Sequence, residues 1–120
     1  MGLFRHAVAG SETVSPADLE QMLLRGGEPV RVLDVRSPAE FAEGHIPGAV
    51  NIPHTEVRSR GLAAIGGGEG RIVVACAHGG RARMAAAVLL ELGCRDVVLL
   101  EGHMCRWIEE GRPLVRSCAG

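Results

Sequence analysis

RIVVACAHGGRARMAAAVLLELG, residues 71–93, carries the signal that decides the fold. RIVVA (71–75) is a continuous apolar run, the pattern of a strand buried on both faces. Residues 81–92 are rich in Ala, Met, Val and Leu and predict a helix, which Gly93 caps. Between the two lies CAHGGR (76–81): a cysteine where the strand ends, two glycines, and an arginine where the helix begins.

The flanking sequence repeats the strand–helix alternation. Ser15 is a good N-cap, Pro16 fits a first helical turn, and Asp18 completes a near capping box. Leu19, Met22 and Leu23 follow at helical spacing until Gly26-Gly27. VRVLDV (30–35) reads as a strand, and Ser37-Pro38 opens a short helix that Gly44 ends. AVNI (49–52) is a short strand between turn signals, HTEVRSRGLAAI (54–65) a weak helix, and GGGEG (66–70) a loop. DVVLL (96–100) is a second buried strand, and a last helix runs from about Gly102 to Glu110 before Gly111 and Pro113. The alternation predicts an α/β fold around a mostly parallel sheet.

A chain of 120 residues suits one domain. A net charge of −1 offers no electrostatic case for nucleic acid or an acidic membrane surface. No apolar run reaches the roughly 18 residues that span a bilayer, and MGLFRHAVAGSET does not read as a signal peptide, so a cytoplasmic location is expected. The chain has no lysine and no tyrosine. Schiff-base chemistry, a Walker-type phosphate lysine and a phenolic acid or base are thereby excluded. Cys76, Cys94, Cys105 and Cys118 form no C-x-x-C pair, and the five histidines show no metal-ligand spacing, so no metal site is expected.

In an α/β sheet, ligands bind beyond the carboxyl ends of the strands, where Cys76 stands. The loop after it enters a helix whose first N–H groups lack intrahelical partners, which makes a place for an anion. Gly79 and Gly80 allow positive φ or a close approach, and Arg81 adds a planar, fixed charge. These features favour thiolate over thiol at Cys76 and would hold an anion bonded to it. A nucleophile in such a cradle suits electrophiles at sulfur, phosphorus or arsenic. The plainer reading is a buried, inert cysteine followed by a glycine turn.

LDVRSPAEFAEGHIPGAVNIP (33–53) separates these readings. It closely resembles the signature of the rhodanese-like family through Asp34, Arg36, Glu40, Phe41, Gly44, His45, Ile46, Pro47, Gly48, Ala49, Asn51 and Ile52. LLEGHMCRWIEEGRPL (99–114) resembles that family's closing Gly-Gly-x-x-x-Trp segment, with Gly102 and Trp107 in place and His103 where the second glycine is usual. The resemblance spans about residues 12–115, leaving 1–11 as an N-terminal extension and 116–120 as a tail. It implies a small five-stranded, mostly parallel sheet with helices on both faces, and sulfur carried on Cys76. Ala77, His78, Gly79, Gly80 and Arg81 would form the anion-binding loop, with Arg81 closing it. Asp34, Arg36, His103 and Met104 fall at its mouth or in its support. Relatives that act as phosphatases or arsenate reductases have a loop one residue longer, so the six-residue loop points to sulfur. Ala82 stands where many members have Ser.

The implied reaction is transfer of a sulfane sulfur from thiosulfate or a small persulfide to a thiol or cyanide through a Cys76 persulfide, with no cofactor. The alternative is a relay or persulfide-binding module serving a partner protein; arsenate reductase or phosphatase is disfavoured. Arg36 is placed to pair with Glu40, four residues on. His45 reads as a turn residue, Trp107 as core, and Arg83 as a solvated helix residue. Cys94 reads as structural, while Cys105, near the mouth, or Cys118, in the tail, is a candidate to resolve the persulfide.

Overall fold

A computed structural model describes residues 12–26 and 29–117. Five strands form one parallel sheet: β1 (Thr13–Val14), β2 (Val30–Asp34), β3 (Val50–Asn51), β4 (Arg71–Ala75) and β5 (Asp96–Leu100). Their spatial order is β1-β5-β4-β2-β3. Five helices accompany them: α1 (Pro16–Arg25), α2 (Pro38–Glu43), α3 (Leu62–Ala64), α4 (Gly80–Glu91) and α5 (His103–Glu109). The α/β class and the five-stranded parallel sheet agree with the expectation.

The core follows from strand periodicity. Successive residues of a strand face opposite sides of the sheet. Leu33, Val35, Ile72, Val74, Cys76, Val97 and Leu99 pack on one face against Ala82, Ala85, Ala86 and Leu89 of α4. Val32, Val73, Ala75, Val98 and Leu100 pack on the other against Leu19 of α1 and Met104 and Trp107 of α5. Three alanines on the buried side of α4 let that helix lie close to the sheet. This closeness matters, because its first turn must reach Cys76.

Local signals set the helix starts. Ser15 Oγ accepts the Asp18 N–H at 3.1 Å, and Gly26 ends α1 at φ 67°. Ser37 and Glu40 form a full capping box on α2: each side chain bonds the other's backbone N–H, at 3.2 and 2.9 Å. Two elements depart from the sequence reading. β1 has only two residues, too few to show a period-two pattern, and exists because it pairs with Leu99 and Leu100. The segment read as a weak helix is a 3-10 turn (His54–Glu56), a π turn (Val57–Gly61) and one turn of α3. Val57 and Ile65 are buried while Arg58, Ser59 and Arg60 face solvent, so packing rather than helix propensity shapes it.

Trp107 is fully buried, and its indole Nε1–H donates to the Pro113 carbonyl at 2.8 Å, tying α5 to the chain that follows. Trp107→Ala removes both the packing and that tie, and is expected to cost about 3–5 kcal/mol. Urea unfolding followed by circular dichroism would measure it, with Trp107→Phe losing clearly less.

Candidate active site

β4 lies between β2 and β5, with Asp34 paired to Ala75 and Val74 to Leu99. Cys76 is the first residue past this central strand and is 1 % exposed. The chain then turns through residues 77–79 into α4. The Gly79 N–H points at Cys76 Sγ at 3.0 Å and the Ala82 N–H at 3.3 Å. The sulfur thus sits over the first turn of α4, where unpaired amides concentrate positive potential.

Gly79 has φ +125°, a conformation side chains rarely adopt. A Cβ there would also meet the His103 ring, 3.2 Å from Nε2 and 3.3 Å from Cδ2. Both constraints require glycine, and both serve to aim one amide at the sulfur.

The beginning of α5 grips the same stretch of chain. The Cys76 N–H donates to His103 Nδ1 at 3.3 Å, the Met104 N–H donates to the Cys76 carbonyl at 2.9 Å, and the Cys105 N–H to the Ala77 carbonyl at 3.3 Å. His103 has φ 52° and is the one non-glycine residue at positive φ among the described residues. That conformation costs about 1 kcal/mol, and it turns the chain so that α5 meets the loop. Met104 is buried beside it, whereas His78 and Arg83 are exposed. Burial holds His103 below the ordinary imidazole pKa, helped by the charges of Arg83 and His78.

The Arg81 side chain reaches Glu40 of α2. Its guanidinium makes a two-pronged contact with Glu40, Nη1 to Oε1 at 2.7 Å and Nη2 to Oε2 at 3.1 Å. Its hydrogen bonds therefore go to α2. Glu40 is held at about 2, chiefly by the Arg81 hydrogen bond. The expected Arg36–Glu40 pair does not form. Arg36 turns back to Asp34 instead, with Nη2–Oδ2 at 2.7 Å and Nε–Oδ1 at 2.9 Å, and donates to the Gly44 carbonyl at 2.8 Å. Asp34 and Arg36 are both buried, so the arginine takes the buried carboxylate beside it, while Glu40 is committed to the Ser37 N–H and to Arg81. They tie the end of β2 to the Gly44 carbonyl just past α2.

The other singled-out residues divide clearly. His45 stacks on Phe41 with ring centroids 3.6 Å apart, and its Nδ1 lies 2.8 Å from the Phe41 carbonyl. Cys94 is buried, and burial raises its thiol pKa. Cys105 is exposed, with Sγ 3.9 Å from a Glu109 carboxylate oxygen. Cys118 lies outside the described residues. Among the described residues no cluster of three or more His, Cys, Asp or Glu could hold a metal ion, and no helix is long and apolar enough to cross a membrane. Two contributors escaped the sequence reading: the Ala82 amide, one residue past the expected loop, and Glu40 as the partner of Arg81. The capping-box position of Glu40 showed where its backbone lies, but no spacing rule links residues 40 and 81.

The Rhodanese-like domain family model matches residues 15–110. The chain belongs to the rhodanese-like family. It is 32% identical over 111 residues to thiosulfate sulfurtransferase 16, chloroplastic, of Arabidopsis thaliana, covering 84% of this chain and 90% of that one. It is 31% identical to thiosulfate sulfurtransferase GlpE of Pseudomonas aeruginosa, covering 80% and 83%. Among solved structures, a rhodanese-related protein from Thermoplasma volcanium superposes with a TM-score of 0.75 at 36% identity, covering 87% and 97%. A thiosulfate sulfurtransferase from Pseudomonas aeruginosa gives 0.79 at 31%, covering 89% of this chain and 20% of that one. The rhodanese-like fold thus brings Cys76 and its two amides together at the carboxyl edge of the sheet.

The Glu40–Arg81 pair has a pH signature. A carboxyl depressed in the folded state contributes stability above its ordinary value of 4.5 and loses it as pH falls toward about 2. With the side chains 36% and 32% exposed, solvent screens the pair, and about 1 kcal/mol or less is expected. Glu40→Gln should flatten the acid limb of stability in that window while leaving the neutral-pH fold intact, as read by urea unfolding at pH 3 and pH 6.

Proposed function

We propose that this rhodanese-like protein is a sulfurtransferase that carries sulfane sulfur on Cys76. The observation that carries the reading is the Cys76 sulfur facing the Gly79 and Ala82 amides at 3.0 and 3.3 Å at the end of the central strand. The relatives named thiosulfate sulfurtransferase support it.

In the first half-reaction the Cys76 thiolate attacks the outer sulfur of thiosulfate or of a small persulfide. An S–S bond forms to Cys76, the donor's own sulfur–sulfur bond breaks, and its electron pair leaves with sulfite or a thiolate. The new terminal sulfur is an anion. Amides already aimed at the thiolate need little reorganisation to hold it, which is the condition for electrostatic stabilisation. In the second half-reaction a thiolate acceptor attacks that outer sulfur and takes it as a persulfide, restoring the Cys76 thiolate. Cyanide takes it as thiocyanate. Electrons balance within each exchange, so no external oxidant, metal or cofactor is needed. Ala77, His78, Gly80 and Arg81 complete the loop, and Arg81, tied to Glu40, contributes charge rather than direct bonds. The acceptor is a small thiol or a protein thiol in the cytoplasm, where thiols stay reduced.

Intact mass spectrometry after brief exposure to thiosulfate tests the reading. Wild type should gain one sulfur atom, lose it on adding cyanide, and Cys76→Ser should gain none. Loading from a persulfide but not from thiosulfate, with slow turnover, would instead identify a relay module. Release of phosphate from an aryl phosphate would overturn sulfur chemistry at this loop.

A further inference from the structure

We propose that His103 is a positioning residue for Cys76: as a neutral ring it accepts the Cys76 peptide N–H at Nδ1 and backs Gly79 with its opposite edge, keeping the Gly79 amide on the sulfur. The proposal deepens the sulfur-transfer reading and rests on it for any effect on turnover.

Three observations converge. A backbone N–H can only donate, so the 3.3 Å contact from Cys76 requires Nδ1 to carry a lone pair and places the ring proton on Nε2. The Nε2–Cδ2 edge then lies 3.2 to 3.3 Å from where a Gly79 Cβ would stand, so ring and loop backbone touch with no side chain between them. Gly79 is the residue whose N–H reaches Sγ at 3.0 Å. His103 itself is buried and held at φ 52°, a conformation better suited to glycine. A residue kept there against its backbone preference has its ring as the compensating feature. Met104 strengthens the grip from the same turn by donating to the Cys76 carbonyl, so both peptide groups flanking Cys76 are engaged by α5.

The device is sensitive to acid. A protonated His103 would present a donor at Nδ1 to the Cys76 N–H, and the contact would fail. Arg83 and His78 act on the ring as neighbouring positive charges and oppose its protonation, and burial does so more strongly. Across from it the Cys76 thiolate, when formed, would favour the charged ring. The neutral state is therefore present at and above the ordinary imidazole range and is lost as pH falls below it.

His103→Asn and His103→Gly separate the parts of this role. Asparagine keeps an acceptor oxygen near the Nδ1 position and tolerates positive φ, while glycine suits the backbone and removes the ring. The full chain would be titrated by its ultraviolet thiolate absorbance, with Cys76→Ser subtracted, and wild type labelled for nitrogen NMR of its imidazoles. We expect a neutral His103 ring with the proton on Nε2, and an acid-side step in the wild-type thiolate titration that both variants lack. His103→Gly should shift the thiol–thiolate equilibrium toward thiol by roughly three- to tenfold, the effect of one weakened hydrogen bond. His103→Asn should stay within about twofold of wild type. A ring protonated on Nδ1 at neutral pH, a glycine variant that titrates as wild type does, or an asparagine variant no better than glycine would each overturn the proposal. None of these readings needs a sulfur donor, so failure of wild type to load sulfur would count against the sulfurtransferase reading alone.

Discussion

β4 is paired in parallel along its length with β2 on one side and β5 on the other, and cannot slide without breaking two ladders. Its residues are buried on both faces of the sheet, so it cannot tilt without opening two cores. The end of this strand is consequently a fixed point in the molecule, and Cys76 is that end. The starts of α4 and α5 are both set from it. α4 begins where it does because the loop from Cys76 is short, and its closeness to the sheet depends on Ala82, Ala85 and Ala86. α5 begins where it does because Met104 and Cys105 donate to the carbonyls of Cys76 and Ala77.

Two guanidiniums near the loop, those of Arg36 and Arg81, are each tied down by a carboxylate. Asp34 holds Arg36, while Arg36 in turn donates to the Gly44 carbonyl. Glu40 caps α2 through Ser37 and holds Arg81 at the same time. Arg81 is thereby held against α2 by both of its terminal nitrogens. The amides of Gly79 and Ala82, rather than the arginine, meet the sulfur directly. A cradle made of backbone has its geometry set by the fold and pays no side-chain entropy on use.

Much of this was legible in the chain. RIVVA and DVVLL are too apolar for anything but a buried strand, and Ser15-Pro16 and Ser37-Pro38 mark helix starts by capping chemistry that needs no tertiary partner. CAHGGR at a strand–helix junction identified the loop, and the 33–53 signature identified the family. β1 was not legible, because two residues carry no periodicity and owe their extended form to β5. The 54–65 segment was half legible: its helical character showed, its 3-10 and π turns did not, since these come from accommodating Val57 and Ile65 in the core.

What the sequence determined by itself is what short-range physics sets: strand and helix character, capping, and the order of a cysteine, two glycines and an arginine. Tertiary structure alone decided the partnerships. Arg36 went to Asp34 rather than Glu40, Arg81 to Glu40 across 41 positions, and His103 to the Cys76 amide across 27. Such contacts depend on where the sheet brings separate chain segments together and on which polar groups burial leaves in need of a partner. Neither quantity exists until the strands are in register.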